Sequence, residues 1–264
     1  MIFELEQCTI TEVSNMMEEY IQSLHSPFDS FLEEHIVNST FHKIFVGEEV
    51  AGYYAIFNNT LLTQFYLKVP FYTKSQDIMT CIFSNHVISS VFVYTADEFF
   101  LSNVIDRDYK INKQAYFFKD SKIMIPSEKL NHEGHLRQAV LSDVHKIVEV
   151  SEDFFDRLEE RIKDGQIFVF MKENILLGIG IIEISELQKG YASVGMYTNE
   201  AYRKQGVGRT IIQRLKEWCY QHDLEPICGC WYYNTNSKLT LQSAGMISKT
   251  RLLNVEVPKI EDEK

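Results

Sequence analysis

The clearest periodicity of apolar and polar positions lies in the second half of the chain. Residues 136–139 read as a short strand, and Ser142 stands where a helix cap belongs, ahead of Val144, Ile147 and Val148 at helical spacing. A second helical stretch around Phe154, Phe155, Leu158 and Ile162 stops at Gly165. Two apolar strands, 166–171 and 175–184, follow, joined by the polar turn Lys172-Glu173-Asn174. Residues 192–197 predict another strand, then comes the segment 198–208, and a helix from about Arg209 to Gln221. Its apolar positions Ile211, Ile212, Leu215, Trp218 and Cys219 share one face. A strand over 227–233, a short helix over 235–244 stopped by Gly245, and a strand over 252–257 complete the order βααβββαβαβ.

The first half echoes this plan. Phe45-Val46-Gly47-Glu48-Glu49-Val50-Ala51-Gly52 resembles the stretch that runs from Phe170 to Gly178. Strands over 53–57 and 61–67 follow, and Phe71-Tyr72 precedes a helix around Ile78, Ile82 and Phe83, as Ala201-Tyr202 precedes the later one. Residues 91–95 then stand where 227–234 stand, and 115–118 where the final strand stands. The offset between the halves drifts, as an old duplication with small insertions would leave it. The polar segment 119–134, with Pro126, is the expected linker.

Composition adds limits. The chain has 264 residues, 45% of them apolar and 24% charged, an ordinary globular balance that accommodates two domains. A net charge of −11 repels a phosphate backbone on average, so no nucleic-acid partner is expected. The start, MIFELEQCTI, has no basic region, and no apolar run approaches membrane-spanning length. The expectation is a soluble protein without a signal peptide or a membrane partner. Five scattered cysteines without a C-x-x-C pair fit reduced thiols in a cytoplasm. Cys228 and Cys230 lack further ligands nearby, and His132 with His135 lacks helical zinc spacing, so no metal is expected.

Chemistry concentrates at 202–216, YRKQGVGRTIIQRLK. Gly206 and Gly208 follow an apolar strand and open an amphipathic helix, where glycines let a ligand approach and the helix N-terminus favours an anion. Arg203, Lys204, Arg209, Arg214 and Lys216 precede the first acid, Glu217, and their charge also calls for an anionic ligand. A Rossmann fingerprint would need a third glycine, and a Walker loop would need G-K-S/T where Gly208 is followed by Arg209; neither fits.

Arg203-Lys204-Gln205-Gly206-Val207-Gly208 resembles the central motif, Q/R-x-x-G-x-G/A, of the GNAT superfamily of acyl-CoA N-acyltransferases. Leu136-Arg137 with Asp143, and Asn234 with Gly245-Met246, resemble its opening and its fifth-strand end. The resemblance covers roughly 134–260. It implies an α/β fold (α+β by some schemes), the GNAT fold: a mixed, mostly antiparallel sheet flanked by helices. A catalytic domain over 134–264 would be joined in tandem to a degenerate GNAT-like copy over 1–125, whose residues 69–80 hold no G-x-G.

The resemblance further implies acetyl-CoA as co-substrate, a primary amine acceptor, and direct attack of the amine on the thioester. The pyrophosphate would rest on backbone N–H groups of 205–210, with Arg203, Lys204, Gln205, Gly206, Val207, Gly208, Arg209 and Thr210 forming the binding turn. Met196, Tyr197 and Thr198 would line the pantetheine arm, with a backbone N–H near Tyr197 polarising the carbonyl. Asn234 is both a favoured helix cap and the side chain that would reach the same arm. Leu241 stands where many members carry a tyrosine that protonates the leaving thiolate, which leaves Tyr233, with Tyr232 and Ser237 nearby, as the acid candidate. Glu183 and Glu186, at a strand end, are candidates for the base. The competing reading is an acyl-CoA-binding regulatory or scaffold module that has lost turnover. The acceptor's identity and the oligomeric state stay open.

Overall fold

Alternation of apolar side chains builds the first sheet. The structure, a computed structural model, describes residues 3–123, 125–131 and 133–258. Strands β1 (Phe3–Cys8), β2 (Thr40–Val46), β3 (Glu49–Phe57) and β4 (Leu61–Leu67) pair antiparallel in that order. Asn58 and Asn59, at φ 47° and 63°, form the tight connection between β3 and β4, a conformation asparagine tolerates. Helices α1 (Ser14–Ser23), α2 (Ser30–Val37), α3 (Ser75–Asn85) and α4 (Glu98–Ile105) cover this sheet. Ile44, Tyr54, Phe65, Ile78, Ile82 and Phe100 are among the side chains that pack its core. Strand β5 (Ser90–Tyr94) runs parallel to β4, but only Leu61 and Leu62 pair with it, after which the two strands part.

The described residues divide into two compact units, one of 3–116 with 250–258 and one within 117–249. The C-terminal residues join the first unit because Leu252–Glu256 pair antiparallel with β5. The sequence division at 134–264 placed that strand with the second half, since strand partners far apart in sequence leave no local signal.

The second unit repeats the plan. After β6 (Lys110–Asp120), strands β7 (His135–Gln138), β8 (Ile167–Lys172), β9 (Ile175–Ile184) and β10 (Tyr191–Thr198) pair antiparallel in order. Strand β11 (Glu225–Trp231) runs parallel to β10 and pairs only with Tyr191, Ala192 and Ser193. In both units a glycine on the third strand faces the last residue of the fourth: Gly52 opposite Leu67, Gly178 opposite Thr198. A Cβ on Gly52 would collide with the Tyr66 carbonyl oxygen, and one on Gly178 would lie 2.6 Å from the Tyr197 carbonyl oxygen. The pairing of Gly52 with Gly178 read from sequence is therefore a shared steric requirement.

Helices α5 (Val144–Ser151), α6 (Leu158–Lys163), α7 (Val207–Gln221) and α8 (Thr235–Ser243), then β12 (Met246–Glu256), complete the fold. Three expectations shift. Phe154 and Phe155 lie in the turn between α5 and α6, which is shorter than expected. Ser142 sits inside a 3-10 turn; Asp143 makes the tie there, accepting the Val140 N–H at 2.9 Å and both guanidinium arms of Arg137 at 2.7 and 2.8 Å. Helix α7 begins at Val207, because Gly206 at φ 79° already supplies the left-handed step into it. Among the described residues no helix is long and apolar enough to cross a membrane.

Asp97 is a buried carboxyl in the first unit, 6% exposed, whose Oδ1 accepts the Phe100 N–H at 2.9 Å and caps α4. Burial raises its pKa to about 6, against the opposing pull of the Phe100 N–H and the Tyr20 hydroxyl. The protonated form is favoured in the fold, so its stabilising contribution is complete below about pH 4 and is lost as pH climbs through 6. Asn caps a helix as well as Asp does. Relative to wild type, Asp97→Asn is expected to gain up to about 3 kcal/mol in denaturant stability between pH 4 and 7. Parallel stability profiles for the two proteins would refute this assignment.

Candidate functional site

The turn at 199–206 is held from several sides. Asn199 donates through Nδ2 to the Leu176 carbonyl at 2.9 Å and accepts the Ala201 N–H at 3.2 Å. Gln205 donates to the Ala201 carbonyl at 3.2 Å, and Arg203 Nε to the Thr198 carbonyl at 3.4 Å. Lys204 and Gly206 adopt φ of 63° and 79°, which curls the chain so that consecutive N–H groups share one side. The amides from Lys204 to Arg209 meet no acceptor among the described residues, whereas the Thr210 N–H closes the first helical bond, onto the Gly206 carbonyl at 3.0 Å. Thr210 is 1% exposed, so the free amides of the turn end at Arg209 and do not extend to Thr210.

Gly208 is small for a different reason. A Cβ there would lie 3.0 Å from Thr198 Oγ1, 3.0 Å from Thr240 Cγ2 and 3.7 Å from Met196 Cγ. The start of α7 thus lies directly against the part of β10 that has left β11. The structure brings Gly208 against Met196 and Thr198, and sets Gly206 beside the Lys129 carbonyl and the Asn131 N–H. Tyr197, half-buried, turns its ring toward Phe154, 5.0 Å between centroids. The β10 edge beyond Ser193 no longer pairs with β11, and its polar backbone needs another partner.

The five cations of this segment do not form a free positive cluster. Arg203 pairs with Glu200 at 2.6 Å and Arg214 with Glu217 at 2.8 Å. Arg209 donates to Ser243 Oγ at 3.0 Å and to the Lys129 carbonyl at 2.8 Å. Lys216 is buried, with Nζ 2.7 Å from Asp120 Oδ1 and 3.1 Å from the Ala244 carbonyl. Burial pushes the Asp120 carboxyl up, but Lys216 and the Tyr220 hydroxyl outweigh it and hold it below the usual range. Lys204 alone of the five is exposed without such a contact among the described residues. An anion at the turn would therefore meet its amides more than free side-chain charge.

The acid and base candidates are placed elsewhere. Glu183 accepts from Arg161 Nη1 at 2.7 Å, and Arg161 also contacts Asp156 at 3.0 Å. Those two carboxylates keep the half-desolvated guanidinium charged against the pull of burial. Glu183, the first base candidate, is thus engaged in an ion pair, with its side chain 27% exposed. Tyr233 is 61% exposed in the turn after β11, edge-on to Trp231 and Tyr232. Leu241 is 1% exposed, a core side chain of α8. Asn234 caps α8, its Oδ1 accepting the Ser237 N–H at 3.0 Å. Among the described residues no group of three or more His, Cys, Asp or Glu could hold a metal ion. His132 lies outside the described residues.

Missed in sequence were the buried Asp120–Lys216 pair and the linker residues Lys129 and Asn131, which contact the turn. Lys216 did carry a signal: it shares the buried stripe of α7 with Ile212, Leu215 and Cys219, where an unpaired charge is not tolerated.

Comparison with known proteins agrees with this geometry. Residues 9–121 match a family model described as acetyltransferase (GNAT) domain, and residues 136–245 one described as acetyltransferase (GNAT) family. Among solved structures, an acetyltransferase from the GNAT family of Colwellia psychrerythraea superposes with a TM-score of 0.85 at 17% identity, covering 97% of this chain and all, 100%, of that one. A GCN5-related N-acetyltransferase from Sphaerobacter thermophilus gives 0.65 at 12% identity, covering 98% and 97%. A tandem GNAT protein from the clavulanic acid biosynthesis pathway gives 0.63 at 9% identity, covering 97% and 98%. No curated protein matches.

Removing the cation of the buried pair tests how α7 is anchored. Lys216→Met is expected to cost about 3–5 kcal/mol by leaving the buried Asp120 carboxylate only the Tyr220 hydroxyl and Lys122 at 3.9 Å. The double variant with Asp120→Asn is expected to recover more than half of that loss in chemical denaturation. Additive losses would show that the pair is not the anchor.

Proposed function

We propose, because the chain belongs to the GNAT superfamily of acetyltransferases, that its second unit transfers an acetyl group from acetyl-CoA to a primary amine. The observation that carries this reading is the parting of β10 from β11 in front of a helix start whose amides lack acceptors. An extended arm that offers amide groups satisfies the open edge of β10, and a pyrophosphate satisfies the amides of Lys204–Arg209. The residues present therefore fit the donor, with Met196, Tyr197 and Thr198 along the arm and Arg203, Lys204, Gln205, Gly206, Val207, Gly208 and Arg209 around the phosphates.

In the reaction the amine nitrogen forms a bond to the carbonyl carbon and the C–S bond breaks. A backbone N–H near Tyr197 stabilises the oxyanion. Glu183 is engaged by Arg161 and Leu241 lies in the core; the ammonium proton then passes to solvent or to a carboxylate near the end of β9, Glu183 or Glu186. The thiolate leaves and is protonated from solvent or by the exposed Tyr233. These same facts favour one alternative, an acyl-CoA-binding module without turnover. Thiol release from acetyl-CoA against a panel of primary amines separates the two: the enzyme releases thiol with at least one amine, the module binds and releases none.

Two variants test the donor site by calorimetric titration with acetyl-CoA. Gly206→Glu puts a side chain at φ 79° and a carboxylate beside the turn, and is expected to abolish binding. Asn234→Asp keeps the cap, so stability holds within a few tenths of a kcal/mol, while affinity falls by at least about 1 kcal/mol. Unchanged affinity in Gly206→Glu would remove the turn from the donor site. Unchanged affinity in Asn234→Asp would leave Asn234 as a cap only.

A further inference from the structure

From residue 122 onward the linker lies between the two matched regions, 9–121 and 136–245. It is nonetheless ordered against the turn at the start of α7. Within it, a 3-10 turn over Ser127–Lys129 is closed by the Lys129 N–H on the Pro126 carbonyl at 3.0 Å and the Leu130 N–H on the Ser127 carbonyl at 2.9 Å. We propose that this linker is part of the donor site, with Asn131 and Lys129 as positioning residues that hold the turn's amides in their binding orientation. The proposal rests on the reading of that turn as the phosphate site.

Asn131 uses its backbone and both side-chain atoms. Its N–H donates to Thr210 Oγ1 at 2.7 Å, and that hydroxyl donates onward to the Gly206 carbonyl at 3.0 Å. Its Nδ2 donates to the Gln205 carbonyl at 3.3 Å. Its Oδ1 accepts the Glu133 N–H at 3.0 Å, which fixes the rotamer. Beside it, the Lys129 carbonyl accepts from Arg209 at 2.8 Å.

The consequence follows from the planarity of the peptide group. The Gln205 carbonyl and the Gly206 N–H belong to one trans peptide and point in opposite directions. Holding the oxygen toward Asn131 therefore turns the Gly206 N–H away from the linker, to the open side of the turn. The Gly206 carbonyl is likewise held, by the Thr210 hydroxyl, which fixes the Val207 N–H in the same manner. Lys204 sits at positive φ, which a non-glycine residue keeps only when its surroundings hold it, while Gly206 adopts it freely. The linker grips the Gln205 carbonyl between the two. Donors aimed before the ligand arrives bind it with less reorganisation.

The test uses the full chain. Asn131→Ala removes the Nδ2 donor, and Asn131→Asp also places a carboxylate against the Gln205 carbonyl. The expected result is a KM and Kd for acetyl-CoA raised about three- to tenfold by Asn131→Ala and more by Asn131→Asp, with kcat within about twofold of wild type. Amide exchange supplies a readout that a merely structural role does not move. In wild type, acetyl-CoA is expected to slow exchange at Lys129–Asn131 by reciprocity, and in Asn131→Ala the unliganded amides of Gly206 and Val207 exchange faster. Should Asn131→Ala lose its fold, Asn131→Asp, which keeps the acceptor for the Glu133 N–H, decides the matter. Wild-type protein that does not bind acetyl-CoA overturns the donor-site reading itself. Wild type that binds while both variants bind equally well overturns the linker's role alone.

Discussion

The second unit depends on the break in pairing after Ser193. As long as β10 and β11 run side by side, their backbone groups satisfy each other. Once they part, the remaining edge of β10 has no strand partner on that side among the described residues. Helix α7 starts against that same edge, close enough that a Cβ at position 208 would sit 3.0 Å from the Thr198 hydroxyl. An open strand edge and a helix start with unanswered amides therefore meet at one place. A ligand that carries both an extended polar arm and a phosphate group fits that combination.

The first unit shows what happens when the same scaffold loses one of these features. Its β4 and β5 part after Leu62 just as β10 and β11 part after Ser193. The connection to α3, however, is a 3-10 stretch, Val69–Lys74, with Pro70 in its first turn and no residue at positive φ. Nothing there curls consecutive amides to one side. Where the second unit caps its following helix with exposed Asn234, the first uses Asp97, a buried carboxyl beside Tyr20. The topology has been kept and the positive-φ turn before the helix has not.

Much of this was legible in the residues. The glycines at 206 and 208 follow an apolar strand and open an amphipathic helix; Gly206 sits at φ 79° and Gly208 packs closely on β10. The echo of Gly178 in Gly52 revealed the tandem plan, because close strand approach leaves a mark at a single position. Local signals could not show which side chains meet across the fold. The basic run at 203–216 read as a free positive patch until Glu200, Glu217 and Asp120 were found beside three of its members. Glu183 read as an available carboxylate until Arg161 was found on it. The linker's polar composition marked a boundary correctly and hid that Asn131 reaches the turn. Likewise β12, paired with β5 from the far end of the chain, has no sequence-local trace.

Backbone amide resonances of the full chain, followed through a titration with acetyl-CoA, address the central claim most directly. The account predicts saturable shifts at residues 194–198 and 204–209, while the amides of β4, β5 and the 69–74 connection stay in place. Shifts centred on the first unit, or none at residues 204–209 at saturating ligand, would contradict it.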